Sequence, residues 1–247
     1  MTVTADQARP CARRRVGVLG GSFNPVHVGH LAIGRAAAEA LALDQVVVIP
    51  TGTSWQKAGT RHAQVAASHR LAMARIAVES LGRQREGACQ WSVDDIETRR
   101  TGPSYTIDTL QALRDRLGPS PALILILGSD QLRNLETWHR WRDLLDRSHL
   151  AATQRERVPL SGLPEAVDRL VDEHGCQALP DAPCGSIVFF QMPPVAVSAT
   201  ALREQLARGE YPEELLPPGV SGYIRRHRLY QDQAPRTDQP ADKATDH

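Results

Sequence analysis

Two histidines beside a glycine turn are the residues best suited by type and spacing to do chemistry. They belong to the run Gly20-Gly21-Ser22-Phe23-Asn24-Pro25-Val26-His27-Val28-Gly29-His30, which follows an apolar stretch and precedes an alanine-rich one. Glycines let a backbone approach a phosphate closely, and a helix beginning near Gly29 would add free N–H groups and a positive dipole end. The dinucleotide motif GxGxxG and the P-loop motif GxxxxGKS/T are both missing from the sequence, so a different phosphate site is indicated.

Three chemistries suit a pair of histidines at this spacing. His27 and His30 could ligate a metal, pack inside the fold, or donate hydrogen bonds to phosphate oxygens. No third or fourth ligand of His, Cys or carboxylate type is evident near them in the sequence, which disfavours a metal site. The glycine turn favours phosphate, because two imidazoles at a helix N-terminus can hydrogen-bond the oxygens of a triphosphate.

A second cationic group lies far along the chain. The sequence predicts a helix that follows Pro193-Pro194, takes Ser198 or Thr200 as its N-cap and ends at Gly209. Arg203 lies three residues after Thr200 and therefore on the same helix face, where it could bind phosphate together with the helix N-terminus. From spacing alone, such an arginine is more often a solvated surface residue.

The elements that must position these groups are those of an α/β fold. Short apolar runs alternate with helical stretches, which predicts a single Rossmann-like domain with a parallel sheet flanked by helices. The run at 122–127 has no polar alternation, so it is predicted to be a central strand buried on both faces. The predicted strands are Arg15–Leu19, Gln45–Ile49, Ala122–Leu127, His149–Thr153 and Ser186–Phe190.

Two further helices are predicted from apolar spacing between these strands. Both should pack against the sheet, because each presents one apolar face. The first face consists of Ile107, Leu110, Leu113 and Leu117 and stops at Gly118-Pro119; the second consists of Leu135, Trp138, Trp141 and Leu145.

The composition limits the choice of partners. The chain has 247 residues, of which 41% are hydrophobic, and a formal net charge of +1. This balance predicts neither nucleic acid nor a membrane as a partner, so an anionic substrate must meet locally placed cations. The four cysteines show no CxxC pairing, which fits a reducing cytoplasm better than a zinc site or a disulfide framework.

One domain is predicted over residues 15–230, between polar, mobile tails at 1–14 and 231–247. No apolar run in the sequence reaches the roughly 20 residues of a membrane span, and the first residues lack the apolar core of a signal peptide. The sequence leaves open whether the chain forms a homo-oligomer.

The run from Gly20 to His30 resembles the signature G-S/T-F-D-P-x-H-x-G-H of the HxGH nucleotidyltransferases. The resemblance implies a Rossmann-like fold and the transfer of AMP or CMP to a phosphate or similar acceptor. The common Asp of that signature is Asn24 in this chain. Asn24 keeps a short capping side chain but carries no charge.

Four later segments resemble those of bacterial nicotinate-nucleotide adenylyltransferases. Order and spacing both agree with that family over about residues 15–230. The loop after the second strand matches less well, because Ser54-Trp55-Gln56 replaces the Pro-Pro-His of many members, and only Lys57 carries over. The four segments are Gly102–Leu110 (sYTxxTL), Gly128–Leu132 with Trp138 (GxD, then Trp), Val197–Arg203 (SxTxxR), and the closing pattern from Leu216-Pro217 to Leu229-Tyr230.

The resemblance implies adenylyl transfer from ATP to nicotinate mononucleotide, giving deamido-NAD and pyrophosphate. His27, His30 and Arg203 would be the catalytic residues at the ATP phosphates. Mg²⁺ would bridge phosphate oxygens, with no protein side chain as its ligand. The implied ATP-binding residues are Gly20, Gly21, Ser22, Phe23, Lys57, Gly128, Asp130, Ser198 and Thr200, and those implied for nicotinate mononucleotide are Thr51, Tyr105, Thr106 and Trp138.

Several of these residues have plainer alternatives. Trp138 is by type a core aromatic, whereas the resemblance implies that it stacks on the pyridine ring. Tyr105 and Thr106 lie at a predicted helix start, where free N–H groups could bind the nicotinate carboxylate. Ser104 or Thr106 could instead simply cap that helix. Lys57 could be an ordinary loop charge.

Other functions stay open from the sequence alone. The acceptor could be nicotinamide mononucleotide, since its amide differs little in chemistry from the carboxylate of nicotinate mononucleotide. It could also be phosphopantetheine. The chain could also be a non-catalytic nucleotide-binding regulatory module, or a flavodoxin-like interaction protein. The segments at 102–110 and 128–138 favour nicotinate mononucleotide, and the intact His27, His30 and Arg203 favour an enzyme.

Overall fold

A parallel sheet forms the centre of the structure. The computed structural model describes residues 13–53, 65–82, 88–154 and 162–231. The strand order across the sheet is β3-β2-β1-β4-β5-β7-β6, and every pairing is parallel. The strands are β1 (Arg15–Gly21), β2 (Gln45–Pro50), β3 (Gln90–Val93), β4 (Ala122–Leu127), β5 (His149–Gln154), β6 (Gly175–Cys176) and β7 (Ile187–Gln191).

The strand order reverses between β1 and β4. The chain passes from β1 outward to β2 and β3, and then returns to place β4 on the other side of β1. Connections on the two sides of such a reversal leave in opposite directions, which opens a crevice at the carboxyl ends of the two strands. The strand order therefore places such a crevice directly after Gly21 and Leu127.

Helices cover both faces of the sheet. One core joins the sheet to α1, α2, α7 and α8 through residues such as Met73, Leu202 and Ile224. The other joins it to α4 and α6 through Leu110 and Val167. The helices are α1 (Val28–Ala40), α2 (Ala67–Glu79), α3 (Ile96–Arg99), α4 (Thr106–Leu117), α5 (Ser129–Arg133), α6 (Glu165–His174), α7 (Ala199–Ala207) and α8 (Val220–Arg226).

The strands predicted from apolar runs are all present, so the prediction of a single Rossmann-like α/β domain is confirmed. All residues of β4 are buried, and β4 occupies the middle of the sheet. No apolar run in the sequence predicts β3 and β6. These strands lie at the edges of the sheet and contain four and two residues, too few for an alternation to appear.

The predicted helix over Leu135, Trp138, Trp141 and Leu145 is wrong. The chain forms two short 3-10 helices there, Leu135–Thr137 and Trp141–Leu144. Between them, Arg140 adopts a left-handed conformation with φ 52°. Residues three apart also share a side of a 3-10 helix, which explains why the apolar spacing resembled that of an α-helix. Trp141 is buried in the core, as predicted.

The other two predicted helices are confirmed. The face from Ile107 to Leu117 belongs to α4, which ends at Gly118 with φ 81°. Helix α7 has Ser198 rather than Thr200 as its N-cap, and the Ser198 hydroxyl accepts a hydrogen bond from the Ala201 N–H at 3.4 Å.

Some predictions fall on residues outside the described ranges. These are residues 1–12 and 232–247 of the predicted tails, and Lys57 with the neighbouring Ser54–Gln56. The tails and the limits of the domain therefore stay predictions. Within the described ranges, no helix is both long and apolar enough to cross a membrane.

Gly34 lets α1 lie close to the sheet. A Cβ at this position would lie 2.4 Å from Cη2 of Trp91 and 3.3 Å from Cδ2 of Leu19. We expect Gly34→Ala to lower the free energy of unfolding by about 1–3 kcal/mol, because overpacking outweighs the better helix propensity of alanine. Urea denaturation measures this change.

Gly222→Ala is the matched control, because no atom lies within 4 Å of a Cβ at this exposed position in α8. This substitution should be neutral or stabilise by up to about 1 kcal/mol. Equal losses of stability in the two variants would contradict the packing argument.

Candidate active site

Two cavities open at the carboxyl ends of β1 and β4. The larger has a volume of about 680 Å³ and is lined by the start of α1, the turn after β4 and residues 192–197. The smaller has a volume of about 200 Å³ and lies between β1 and the start of α4. The two cavities share the wall formed by Gly20, Gly21, Ser22 and Gln131. Ligands in the two cavities would therefore meet at the glycine turn.

His27 and His30 both line the larger cavity. His27 is the N-cap of α1, and its backbone N–H donates to Nδ1 of His30 at 3.1 Å. A neutral imidazole that accepts on Nδ1 carries its proton on Nε2. The fold of the turn therefore sets the tautomer of His30, with its proton on Nε2.

The two imidazole rings are stacked. Their centroids lie 3.6 Å apart at an interplanar angle of 22°, and Phe23 approaches His30 edge-on with centroids 4.9 Å apart. Burial lowers the pKa of His27 from 6.5 to about 4. His27 is therefore neutral near pH 7 and offers a ligand hydrogen-bonding atoms rather than a positive charge.

The glycine between the histidines is required by close packing. A Cβ on Gly29 would lie 2.7 Å from Cγ1 of Val197 and 3.2 Å from Nδ1 of His27. The residues Val195–Val197 also line the larger cavity. Gly29 thus allows the segment before α7 to approach the histidine pair and complete the cavity wall.

Asn24 is a buried residue of the turn rather than part of a cavity wall. It is 5% exposed, and its Oδ1 accepts hydrogen bonds from the Tyr230 hydroxyl at 3.0 Å and from the Val65 N–H at 3.3 Å. Burial raises the pKa of Tyr230, so its hydroxyl remains a donor. An amide oxygen satisfies both donors without a buried charge, which explains how Asn can occupy the position of the common Asp.

Arg203 reaches the same turn from α7. Its guanidinium donates to the Asn24 carbonyl at 3.0 Å and to Oγ1 of Thr200 at 3.1 Å. Its Nε is buried and makes no hydrogen bond. Arg203, Ser198 and Thr200 are not among the residues that line either cavity. The structure thus brings Arg203 next to the histidine turn, and its phosphate role stays a prediction.

The remaining residues predicted to bind ATP divide into three groups. Gly20, Gly21, Ser22, Gly128 and Asp130 line the larger cavity. Phe23 is fully buried and lines neither cavity, so its role in ATP binding stays a prediction. Lys57 lies outside the described residues.

All four residues predicted for the mononucleotide line the smaller cavity: Thr51, Tyr105, Thr106 and Trp138. Trp138 is half-buried, unlike the core residue Trp141. The N-cap of α4 is Tyr105, and no side chain caps this helix end. Capping by Ser104 or Thr106 is therefore wrong, and among the described residues no capping side chain occupies the first-turn N–H groups of α4.

Glu97 is a buried carboxyl group in the smaller cavity that the sequence analysis missed. It is 7% exposed and accepts a hydrogen bond from Oγ1 of Thr109 at 2.8 Å. Burial raises the pKa of Glu97, against the hydrogen bond from Thr109 and the nearby Arg100, which lower it. The sequence signal is weak because Glu97 belongs to α3, a helix too short to predict.

Three other residues at or near the two cavities were also not predicted from the sequence. Gln131 belongs to the wall shared by the two cavities, and His139 lines the smaller cavity with its ring 4.3 Å from that of Tyr105. Arg70 is fully buried in α2 and donates to three backbone carbonyls near the site. A single arginine or glutamine in a polar segment gives no signal of burial or of a ligand site.

The described part of the chain contains no group of three or more His, Cys, Asp or Glu side chains that could hold a metal ion. The three cysteines within it, Cys89, Cys176 and Cys184, are unpaired thiols.

Comparison with known proteins gives matches along most of the chain. The family model described as cytidylyltransferase-like matches residues 18–205. A protein from Pseudomonas syringae pv. tomato named "Probable nicotinate-nucleotide adenylyltransferase" is 40% identical over 230 residues, which cover 91% of this chain and 96% of that protein. A protein of the same name from Laribacter hongkongensis is 40% identical over 226 residues, which cover 90% of this chain and 97% of that protein.

The fold is also similar to that of a solved structure. The nicotinic acid mononucleotide adenylyltransferase of Plasmodium falciparum, complexed with NaAD, superimposes with a TM-score of 0.64 and covers 89% of this chain and 98% of that chain. The two sequences are 15% identical, so the likeness concerns the fold alone.

The buried His27 should make stability depend on pH. The unfolded chain binds a proton at this residue below pH 6.5, whereas the folded chain does so only below about pH 4. Stability from neutral His27 is thus present above pH 6.5 and is lost as the pH falls towards 4, a loss of about 3 kcal/mol in the free energy of unfolding.

Urea denaturation across this pH range, compared with His27→Gln, isolates the contribution of His27. The variant lacks the titrating group, so its free energy of unfolding should fall less between pH 6.5 and 4. An identical decline in both proteins would show that His27 is not held neutral by burial.

Proposed function

Because the chain belongs to the cytidylyltransferase-like family and, within it, to the nicotinate-nucleotide adenylyltransferases, we propose that it transfers the adenylyl group of ATP to nicotinate mononucleotide. The products are deamido-NAD and pyrophosphate, which makes the reaction a step of NAD biosynthesis. The observation that carries the proposal is the wall of Gly20, Gly21, Ser22 and Gln131 between the two cavities. It supports adjacent sites for donor and acceptor.

The reaction requires positioning more than acid–base chemistry. An oxygen of the acceptor 5′-phosphate attacks the α-phosphorus of ATP, a new P–O bond forms, and the bond from the α-phosphorus to the bridging oxygen of pyrophosphate breaks. The attacking phosphate is already anionic near pH 7, so no base has to remove a proton. In-line placement and hydrogen bonds to the developing charge lower the barrier.

We assign the larger cavity to ATP. Its volume of about 680 Å³ suits a nucleotide, and it contains the histidine pair and the glycine turn. Nε2–H of His30 is the donor to a phosphate oxygen, and neutral His27 assists by hydrogen bonding. Arg203 and Lys57 supply positive charge to the departing pyrophosphate.

Mg²⁺ enters as the complex with ATP in this proposal. The ion would take its ligands from water and phosphate, as Mg²⁺ commonly does, with no protein side chain among them. Asp130 lines the larger cavity and is exposed, so it would contact the complex as a residue of the ATP site. The ion neutralises charge on the triphosphate, while the protein residues orient it.

We assign the smaller cavity to nicotinate mononucleotide. The uncapped N-terminus of α4 suits the carboxylate of the pyridine ring, and Trp138 offers an aromatic face for that ring. An amide in place of the carboxylate would lose the charge that the helix end favours. This difference supports a preference for the acid over nicotinamide mononucleotide.

The two small-molecule substrates are the partners of this proposal, and the cytoplasm is its location. ATP and mononucleotides are available there, and unpaired cysteines suit its reducing conditions.

Pyrophosphate release by the purified protein with ATP and Mg²⁺ tests the function directly. Nicotinate mononucleotide should support rapid turnover and nicotinamide mononucleotide weaker turnover. His30→Ala and Arg203→Ala should each lower kcat about a hundredfold or more, since each removes a donor to the reacting phosphates.

Arg208→Ala is the control for the cationic residues. Arg208 follows α7 and forms an exposed pair with Glu210 at 2.8 Å, so its loss should leave turnover near that of the wild type. Absence of pyrophosphate with both mononucleotides would refute the proposed substrate, and phosphopantetheine would then be the acceptor to try.

Trp138→Ala should weaken the binding of one substrate only. Loss of the stacking face is expected to raise KM for nicotinate mononucleotide about tenfold and to leave KM for ATP nearly unchanged. Trp138→Phe, which keeps an aromatic face, should restore most of the affinity. Steady-state kinetics with each substrate varied in turn measures the difference, and equal effects on both KM values would place Trp138 elsewhere.

A further inference from the structure

Arg70 is a buried cation without a role in the mechanism described above. Its side chain comes from α2, and the residue is 1% exposed. Three different nitrogens of the guanidinium donate to three backbone carbonyls: Nε to Val65 at 2.9 Å, one terminal nitrogen to Ser22 at 2.8 Å, and the other to Gly52 at 2.8 Å. The planar guanidinium thus holds three separate segments in one fixed arrangement.

One of these carbonyls belongs to a residue of the cavity walls, and a second lies next to such a residue. Ser22 lines both cavities, and Gly52 directly follows Thr51, which lines the smaller one. The Thr51 N–H also donates to the Gly21 carbonyl at 2.9 Å. Arg70 therefore bonds the turn that faces ATP to the loop that faces the mononucleotide.

The loop at Gly52 is in turn packed against the far wall of the smaller cavity. A Cβ on Gly52 would lie 2.2 Å from the Glu97 carbonyl oxygen and 3.0 Å from Oγ of Ser104. The Ser104 N–H donates to the Thr53 carbonyl at 3.1 Å. A displacement of Ser22 by ligand would consequently reach the acceptor wall through Arg70 and Gly52.

Burying a guanidinium among carbonyls has a cost that packing alone does not explain. Burial lowers the pKa of Arg70, against the opposing effects of Tyr230 and Glu97. An apolar side chain would fill the same volume without losing the hydration of a charge. What only the guanidinium supplies is a rigid set of donors that reaches three carbonyls together.

We propose that Arg70 is a positioning residue that couples the two substrate sites. A substrate that shifts the Ser22 or the Gly52 carbonyl shifts the other with it through the shared guanidinium, so the second substrate meets a wall already placed by the first. Each substrate therefore raises the affinity for the other by the same factor. The inference rests on the proposed function and concerns how its two sites communicate.

The coupling factor can be measured by calorimetry on the full chain. The probe is an ATP analogue with a methylene group between the α- and β-phosphorus atoms, which cannot release pyrophosphate. Its Kd is determined with Mg²⁺, with and without saturating nicotinate mononucleotide. The wild type should bind the analogue about fivefold or more tightly in the presence of the mononucleotide. A wild-type ratio close to one overturns the proposal whatever the variants do.

Arg70→Lys is the informative variant, because lysine keeps the charge and cannot hold three carbonyls in a fixed plane. Its ratio of the two Kd values should fall to within about twofold of one. Arg75→Lys is the matched control on the same helix, since Arg75 forms only a half-exposed pair with Asp95 at 3.4 Å. That control should keep the wild-type ratio.

A purely structural role predicts a different result for Arg70→Lys. The melting temperature and kcat would fall while the Kd ratio stayed as in the wild type, and this outcome overturns the proposal. If Arg70→Lys does not fold, Gly52→Ala is the second variant, because its Cβ would displace the same carbonyl. Its ratio of the two Kd values should also fall close to one. Pyrophosphate release by the wild type separates the two hypotheses: turnover without coupling refutes this inference alone, and no turnover refutes the function.

Discussion

The structure depends on holding the turn after β1, which begins at Ser22, in a fixed position at the carboxyl edge of the sheet. Residues from distant parts of the chain bond this turn: Arg70 to the Ser22 carbonyl, Arg203 to the Asn24 carbonyl, and Tyr230 to the Asn24 side chain. These contacts hold the turn from outside. The two cavities share Ser22 of this turn and the adjoining Gly20 and Gly21 of β1 as part of their common wall.

The turn offers a ligand dipoles and hydrogen-bond donors more than fixed charges. His27 is neutral, and its neighbour His30 is held in one tautomer by a backbone N–H. Phe23 has φ 43°, a costly conformation for a residue with a side chain, and its complete burial keeps it there. Donors fixed before the ligand arrives need no rearrangement as charge develops during transfer.

Sequence reasoning succeeded where a pattern is local and failed where a contact joins distant segments. The run of β4, the glycine turn with His27 and His30, and the N-cap Ser198 could be predicted because neighbouring residues carry the signal. Arg70 gave none, because its three carbonyl partners come from different loops. The Leu135–Leu145 spacing misled because 3-10 and α-helices share a three-residue repeat on one side.

The bond between Tyr230 and Asn24 has a consequence for how the protein matures. The two residues are 206 positions apart, so this bond can form only after the whole sheet, whose last strand ends at Gln191, has been synthesised. Contacts of such long sequence separation form late, because the intervening chain must be organised first. Binding competence is thereby linked to completion of the fold, and a partly synthesised chain carries the histidine motif without a finished site.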